Sequence, residues 1–118
     1  MKENIIQQKS FAFAIRTVNA YKYLQSEKKE FVLSKQFLRS GTSIGANIEE
    51  ATGGQSKKDF IAKMSIAYKE ARETKYWIKL LAATEYLESD MSKSLLDDAE
   101  ELCKILSSIL LSSKQNNS

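Results

Sequence analysis

A chain of 118 residues suits one domain at the small end of the range that buries most of its core. It has no proline, no histidine and a single cysteine, which excludes a Ser/His/Asp triad, a histidine-containing metal site and an internal disulfide. The formal charge is +3 and unevenly placed: residues 1–80 hold 15 Lys/Arg against 8 Asp/Glu, and residues 81–118 hold 3 against 7, so the basic part invites a polyanion.

The first helix is predicted over 5–26. Phe11, Ala14, Ile15, Val18, Tyr21 and Leu24 give it a broad apolar face. Lys2, Lys9, Arg16 and Tyr23 repeat every seven residues on another face. A basic stripe ending in an aromatic can follow a phosphate backbone, and the same stripe also reads as an ordinary solvated face. The polar run Ser26-Glu27-Lys28-Lys29-Glu30 is a connection.

A second helix is predicted from about Phe31 to Thr52, and it is the centre of the chain. Leu38, Gly41, Gly45 and Ile48 step by three and four along one face, with Phe37 and Ile44 beside them. Each glycine costs about 1 kcal/mol of helix propensity relative to alanine. Gly41 and Gly45 are therefore expected to serve close helix packing, with Ala67 and Ala71 as the opposing small residues. Lys35, Arg39, Ser43 and Asn47 form a polar ladder on another face, followed by Glu50. Gly53-Gly54-Gln55-Ser56 is a turn, and Ser56 offers an N-cap with Asp59 three residues on.

A third helix is predicted over 57–87, roughly 45 Å long at about 1.5 Å per residue. Phe60, Met64, Ala67, Ala71, Thr74, Ile78 and Leu81 alternate steps of four and three. A second seam runs through Ala62, Ile66, Glu73, Trp77 and Leu80. A small bundle needs one buried face per helix, so one seam is expected to pack inside the subunit and the other against a neighbouring subunit, with either seam able to take either role. Ile66, Trp77 and Leu80 are candidates for oligomer or helix packing. Glu73 lies inside an apolar seam, and a buried carboxylate is costly unless paired. Ser43, Asn47, Glu50, Glu70 and Glu73 are therefore expected to form a structural polar network with Arg39 or Arg72. No base, nucleophile or further ligand accompanies these carboxylates, so an enzyme is not expected, and neither is a cofactor or a metal.

The fourth helix is predicted over 93–112, capped by Ser92 or Asp90, with Leu95, Ala99, Leu102, Leu106 and Ile109 on its apolar face. Cys103 takes a core position there, as a small buried apolar group. The expected architecture is all-α, an antiparallel up-and-down four-helix bundle over 1–113 with a disordered tail over 114–118. The polar stretch Met1–Lys9 lacks a signal-peptide block, and no apolar run approaches the roughly 20 residues that span a bilayer. A cytoplasmic protein without membrane contact is expected.

Three ordered motifs carry a resemblance. They are Ser43-Ile44-Gly45-Ala46-Asn47-Ile48-Glu49-Glu50-Ala51, Ser56-Lys57-Lys58-Asp59-Phe60-Ile61 and Ala67-Tyr68-Lys69-Glu70-Ala71-Arg72-Glu73-Thr74-Lys75-Tyr76-Trp77. Together they resemble the four-helix-bundle proteins encoded in intervening sequences of bacterial 23S ribosomal RNA genes, to which the accessory variability determinants of diversity-generating retroelements are related. Many members carry proline where this chain has Gly45 and glycine where it has Ala51. The resemblance implies a homopentamer, a five-fold ring or barrel. For the retroelement branch it implies binding to nucleic acid and to a reverse transcriptase. Added to the charge asymmetry, it makes the chain a non-enzymatic nucleic-acid-binding accessory protein for RNA or DNA, with Lys9, Arg16, Lys35 and Arg39 as the contact residues. The alternative is a protein-interaction scaffold that does not touch nucleic acid.

Overall fold

The structure, a computed structural model, describes residues 2–115, with side chains described from Ile5 onward. Four helices account for nearly all of it: α1 (Lys2–Ser26), α2 (Leu33–Thr52), α3 (Lys57–Ala83) and α4 (Ser89–Gln115). Each packs on the next in sequence, and α4 closes back on α1 along the least extensive of the four edges. The result is an antiparallel up-and-down bundle of about 50 × 21 × 21 Å. In this order α1 and α3 occupy opposite corners, and so do α2 and α4. No described helix is long and apolar enough to cross a membrane.

The core is apolar and shared by all four helices. Ile6, Phe13 and Leu24 of α1 meet Phe37, Ile44 and Ile48 of α2, with Leu95, Leu102 and Leu106 of α4. From α3 come Met64, Ala67, Ala71, Thr74, Ile78 and Leu81, all buried. The first of the two α3 seams is thus the core face. The second lies at the surface of the subunit: Ala62 and Ile66 are exposed, and Glu73, Trp77 and Leu80 are half-buried.

The apolar face expected of α1 is not the one it buries. Phe11 is 68% exposed and Ile15 49% exposed. The buried face is Ile6, Ser10, Phe13, Thr17, Ala20 and Leu24, which steps by four and three but includes two hydroxyls. Both are satisfied locally. Ser10 Oγ donates to the Gln7 carbonyl at 3.1 Å, and Thr17 Oγ1 donates to the Phe13 carbonyl at 2.9 Å. A serine or threonine that bonds back to its own helix can enter a core without an orphaned polar group.

The helix ends also differ from expectation. α2 begins at Leu33, leaving Phe31 and Val32 exposed before it. Its start is held by Glu30, whose carboxylate accepts from the backbone N–H of Val32, Leu33 and Ser34 at 3.1, 3.0 and 2.6 Å. Ser34 Oγ returns a bond to the Glu30 carbonyl at 2.8 Å. These are the donors a helix start leaves unpaired. The α3 start has the expected cap, with Asp59 N–H donating to Ser56 Oγ at 3.0 Å.

α3 stops at Ala83 rather than Leu87. Glu85 takes a left-handed conformation (φ 68°), and Tyr86 and Glu85 N–H donate to the carbonyls of Leu81 and Ala82. That is the Schellman arrangement, here with glutamate in the position glycine usually fills. α4 starts four residues before Lys93, so Ser92 sits inside the helix, not at its cap. α4 then continues through Gln115, so Lys114 and Gln115 are helical rather than tail; the rest of the expected tail lies outside the described residues.

Candidate functional site

The densest polar cluster lies where α2 meets α3. Arg39 extends across the gap and donates to Glu70 Oε2 at 3.3 Å and to Glu73 Oε2 at 2.5 Å. The Trp77 indole donates to the same Glu73 oxygen at 3.0 Å. The indole bond lowers the Glu73 pKa; burial raises it, and the Arg39 pairing lowers it further, so the carboxyl titrates below its ordinary value. The bond to Glu70, then that to Glu73, pushes the Arg39 pKa up. Glu70 Oε1 is buried and has no partner among the described residues. Deeper in the same interface the Ser40 and Thr74 hydroxyls lie 3.0 Å apart, both residues fully buried.

The polar network expected from the sequence is therefore smaller than proposed and differently composed. Glu70 and Glu73 belong to it, with Arg39 as the hub. Ser43 and Asn47 do not: Ser43 Oγ donates to the Arg39 carbonyl at 2.6 Å and the Asn47 amide to the Ser43 carbonyl at 2.8 Å, both within α2. Glu50 pairs with Lys63 at 2.9 Å, in a separate contact. Polar residues four apart on one helix close onto their own backbone as readily as onto a neighbour. Ser40 and Thr74 carried no signal beyond lying among apolar positions.

Gly41 and Gly45 face α1, not Ala67 and Ala71. A Cβ at Gly41 would come within 2.6 Å of Thr17 Cγ2 and 2.7 Å of Thr17 Oγ1. At Gly45 the nearest atom would be Ser10 Oγ at 3.4 Å, an ordinary contact. The close approach is thus real at Gly41, where α1 presents a threonine. Around the expected packing residues of α3, Trp77 is tied to Glu73 and meets Tyr76 edge-on at 5.1 Å, while Ile66 and Leu80 lie on the outer side of α3.

The expected nucleic-acid contacts do not share one surface. Lys9 pairs with Glu101 at 3.2 Å and Arg16 with Asp98 at 2.6 Å, both across the α1/α4 edge. Lys35 and Arg39 are on α2, and Arg39 reaches across the opposite edge, α2/α3. Lys35 is exposed and makes no ion pair among the described residues; the side chain of Lys2 lies outside them. The acidic stretch of α4 thus neutralises the basic stripe of α1. The sequence separates these charges by more than 80 positions, and only the fold sets them side by side.

Cations without such partners lie elsewhere. Among the described residues Lys69, Arg72, Lys75 and Lys79 of α3 make no ion pair. Arg72 sits over the Tyr68 ring, 6.0 Å from its centroid, within the range of a cation–π contact. Tyr76 is 58% exposed in the same run. No described group of His, Cys, Asp and Glu side chains has the disposition of a metal site.

A family model described as 23S rRNA-intervening sequence protein matches residues 2–108. Among solved structures, the crystal structure of a protein of unknown function from the S23 ribosomal protein family of Bacteroides thetaiotaomicron VPI-5482 is 55% identical. It superposes with a TM-score of 0.92 over 93% of this chain and 98% of that one. No curated protein matches the chain.

Proposed function

The chain belongs to the 23S rRNA-intervening sequence protein family, and on that premise we propose that it is a non-enzymatic, oligomeric accessory protein that binds the phosphate backbone of RNA or DNA. One observation carries the reading. Lys9 and Arg16 of α1 and Arg39 of α2 are engaged by carboxylates, while Lys69, Arg72, Lys75 and Lys79 make a run of α3 cations without an ion pair among the described residues. Lysine and arginine contacts to phosphate position a nucleic acid without specifying its sequence. Lys35 is free to join them. Lys9, Arg16 and Arg39 contribute only if their ion pairs open, and exposed pairs of this kind are worth no more than about 1 kcal/mol each.

Oligomerisation follows from two unpartnered apolar stripes. Phe11 and Ile15 stand on the outer side of α1, and Ala62, Ile66 and Leu80 on the outer side of α3, at the opposite corner. Two different patches meeting head to tail form a heterologous contact, which closes into a ring when the rotation allows. Five subunits is the number the family resemblance implies. A ring repeats the α3 cations around its axis and so multiplies a modest charge per chain. A reverse transcriptase is the protein partner that the retroelement relatives suggest.

The competing reading is a protein-interaction scaffold. It draws on Phe31 and Val32, 51% and 71% exposed at the α1–α2 connection. Filter retention of structured RNA by purified protein, run beside light scattering, separates the two. We expect an oligomer that retains RNA at low salt. A monomer at micromolar concentration removes the ring, and an oligomer that retains neither RNA nor DNA leaves the scaffold.

A further inference from the structure

The groove between α3 and α4 has the composition of a single-strand binding site. Its α3 wall carries Tyr68, Arg72, Lys75 and Lys79, which step by four, three and four and so share one flank of the helix. That this flank turns toward α4 is shown from both sides. Arg72 and Lys75 lie close enough for their charges to bear on the Cys103 thiol of α4, whose pKa burial raises. Lys79 and Ile78 share a cleft of about 300 Å³ with Lys93 and Leu96 of α4. At the other end Tyr68 and Ser65 share a cleft of about 320 Å³ with Leu110, Leu111 and Lys114.

The groove thus has an open, partly apolar cleft near each end, with unpaired cations between them. From Tyr68 to Lys79 it runs roughly 16 Å at about 1.5 Å per residue. On the α4 wall Glu100 is the acid near Cys103, and Asp97 is engaged by Lys93 at 3.5 Å. The positive charges outnumber the negative, so the complementary occupant is a polyanion. Its backbone would follow Arg72, Lys75 and Lys79, and its flat apolar groups would enter the clefts.

We propose that the α3–α4 groove binds single-stranded nucleic acid, with phosphates on Arg72, Lys75 and Lys79 and a base stacked at Tyr68. This rests on the nucleic-acid reading above and adds a location and a strand preference to it. Aromatic side chains stack on unpaired bases of any sequence, and duplexes keep their bases out of reach of such clefts.

Fluorescence anisotropy of the assembled protein with a labelled 20-nucleotide single strand, and with the duplex of the same length, tests this. We expect the single strand to bind more tightly. Arg72→Glu with Lys79→Glu should weaken single-strand binding by about tenfold or more and reduce its salt dependence. Lys22→Glu with Lys28→Glu, an equal charge change at exposed positions outside the groove, should weaken it far less. Tyr68→Ala should reduce the preference for single strand over duplex at nearly unchanged salt dependence. Arg72→Gln with Lys79→Gln serves if the reversed pair does not assemble. No binding of any nucleic acid by the unaltered protein overturns the function and the groove together. Binding that favours duplex, or that falls equally in the groove and control variants, overturns the groove alone. Loss of capture of an acidic protein, with nucleic-acid binding untouched by the groove variants, would do the same.

Discussion

At Gly41 the absence of a side chain is a packing requirement, and at Gly45 it is not. An added methyl at Gly41 would press on Thr17, a buried β-branched residue whose hydroxyl is already bonded to its own helix. Gly41→Ala should therefore lower stability by about 1–3 kcal/mol through overpacking. Gly45→Ala meets only ordinary contacts and gains up to about 1 kcal/mol of helix propensity. Thermal melts of the two variants should move in opposite directions, and melts that move together would show that the α1–α2 approach is not as described. Glu85 gives a third case. An L-residue in the left-handed region costs roughly 1–2 kcal/mol, so Glu85→Gly should raise the melting temperature. Glu30 adds a pH dependence. Burial pushes its pKa up, but the bonds from Leu33, Ser34 and Val32 N–H outweigh it, and the carboxyl titrates below its ordinary value. A carboxyl lowered in this way stabilises the fold above its unfolded pKa, and the contribution is lost as pH falls through the folded value. Glu30→Gln should cost about 1 kcal/mol near pH 7 and flatten the acid limb of stability against pH; a parallel acid limb in the two proteins would contradict the cap.

At the level of the helices, the core of α3 was half legible and that of α1 was not. Period picked out two seams on α3, and only the fold assigns the one through Met64, Ala67, Ala71, Thr74, Ile78 and Leu81 to the core. In α1 the buried face includes Ser10 and Thr17, and the residues that look most apolar, Phe11 and Ile15, point outward. A pattern read by hydrophobicity selects the wrong stripe whenever the core admits self-satisfied hydroxyls and the surface carries apolar groups. The two stripes are separated by one pair of variants. Phe13→Ala should destabilise the subunit by roughly 3–5 kcal/mol, whereas Phe11→Ala should leave the subunit melt nearly unchanged and weaken assembly. Equal losses of stability would mean that both faces are buried. The Arg39 hub shows a different limit. Sequence reasoning placed Glu70 and Glu73 in one network with Arg39 or Arg72, because a carboxylate in an apolar seam calls for a partner. It also recruited Ser43, Asn47 and Glu50, since periodicity cannot tell a side chain that reaches a neighbouring helix from one that closes on its own.

For the molecule as a whole, the charge asymmetry was visible in the sequence, but its disposition was not. The acidic fourth helix lies against the basic first, and Glu101 and Asp98 take up Lys9 and Arg16. On α3, at the corner opposite α1, Lys69, Arg72, Lys75 and Lys79 keep no such partner among the described residues. The bundle alone offers four helices and a shallow charge. An assembly built on the α1 and α3 stripes would set several copies of Lys69, Arg72, Lys75 and Lys79 around one axis, and only then does the field suit a nucleic acid. The salt dependence of binding reports this most directly. The apparent affinity of the assembled protein for single-stranded RNA, followed from about 50 to 200 mM monovalent salt, should fall along a straight line of log affinity against log salt, because each neutralised phosphate releases condensed counterions. The account predicts a slope corresponding to several phosphates per bound strand, reduced when Arg72 and Lys79 are reversed. A flat line, or no binding at the low-salt end, would contradict it.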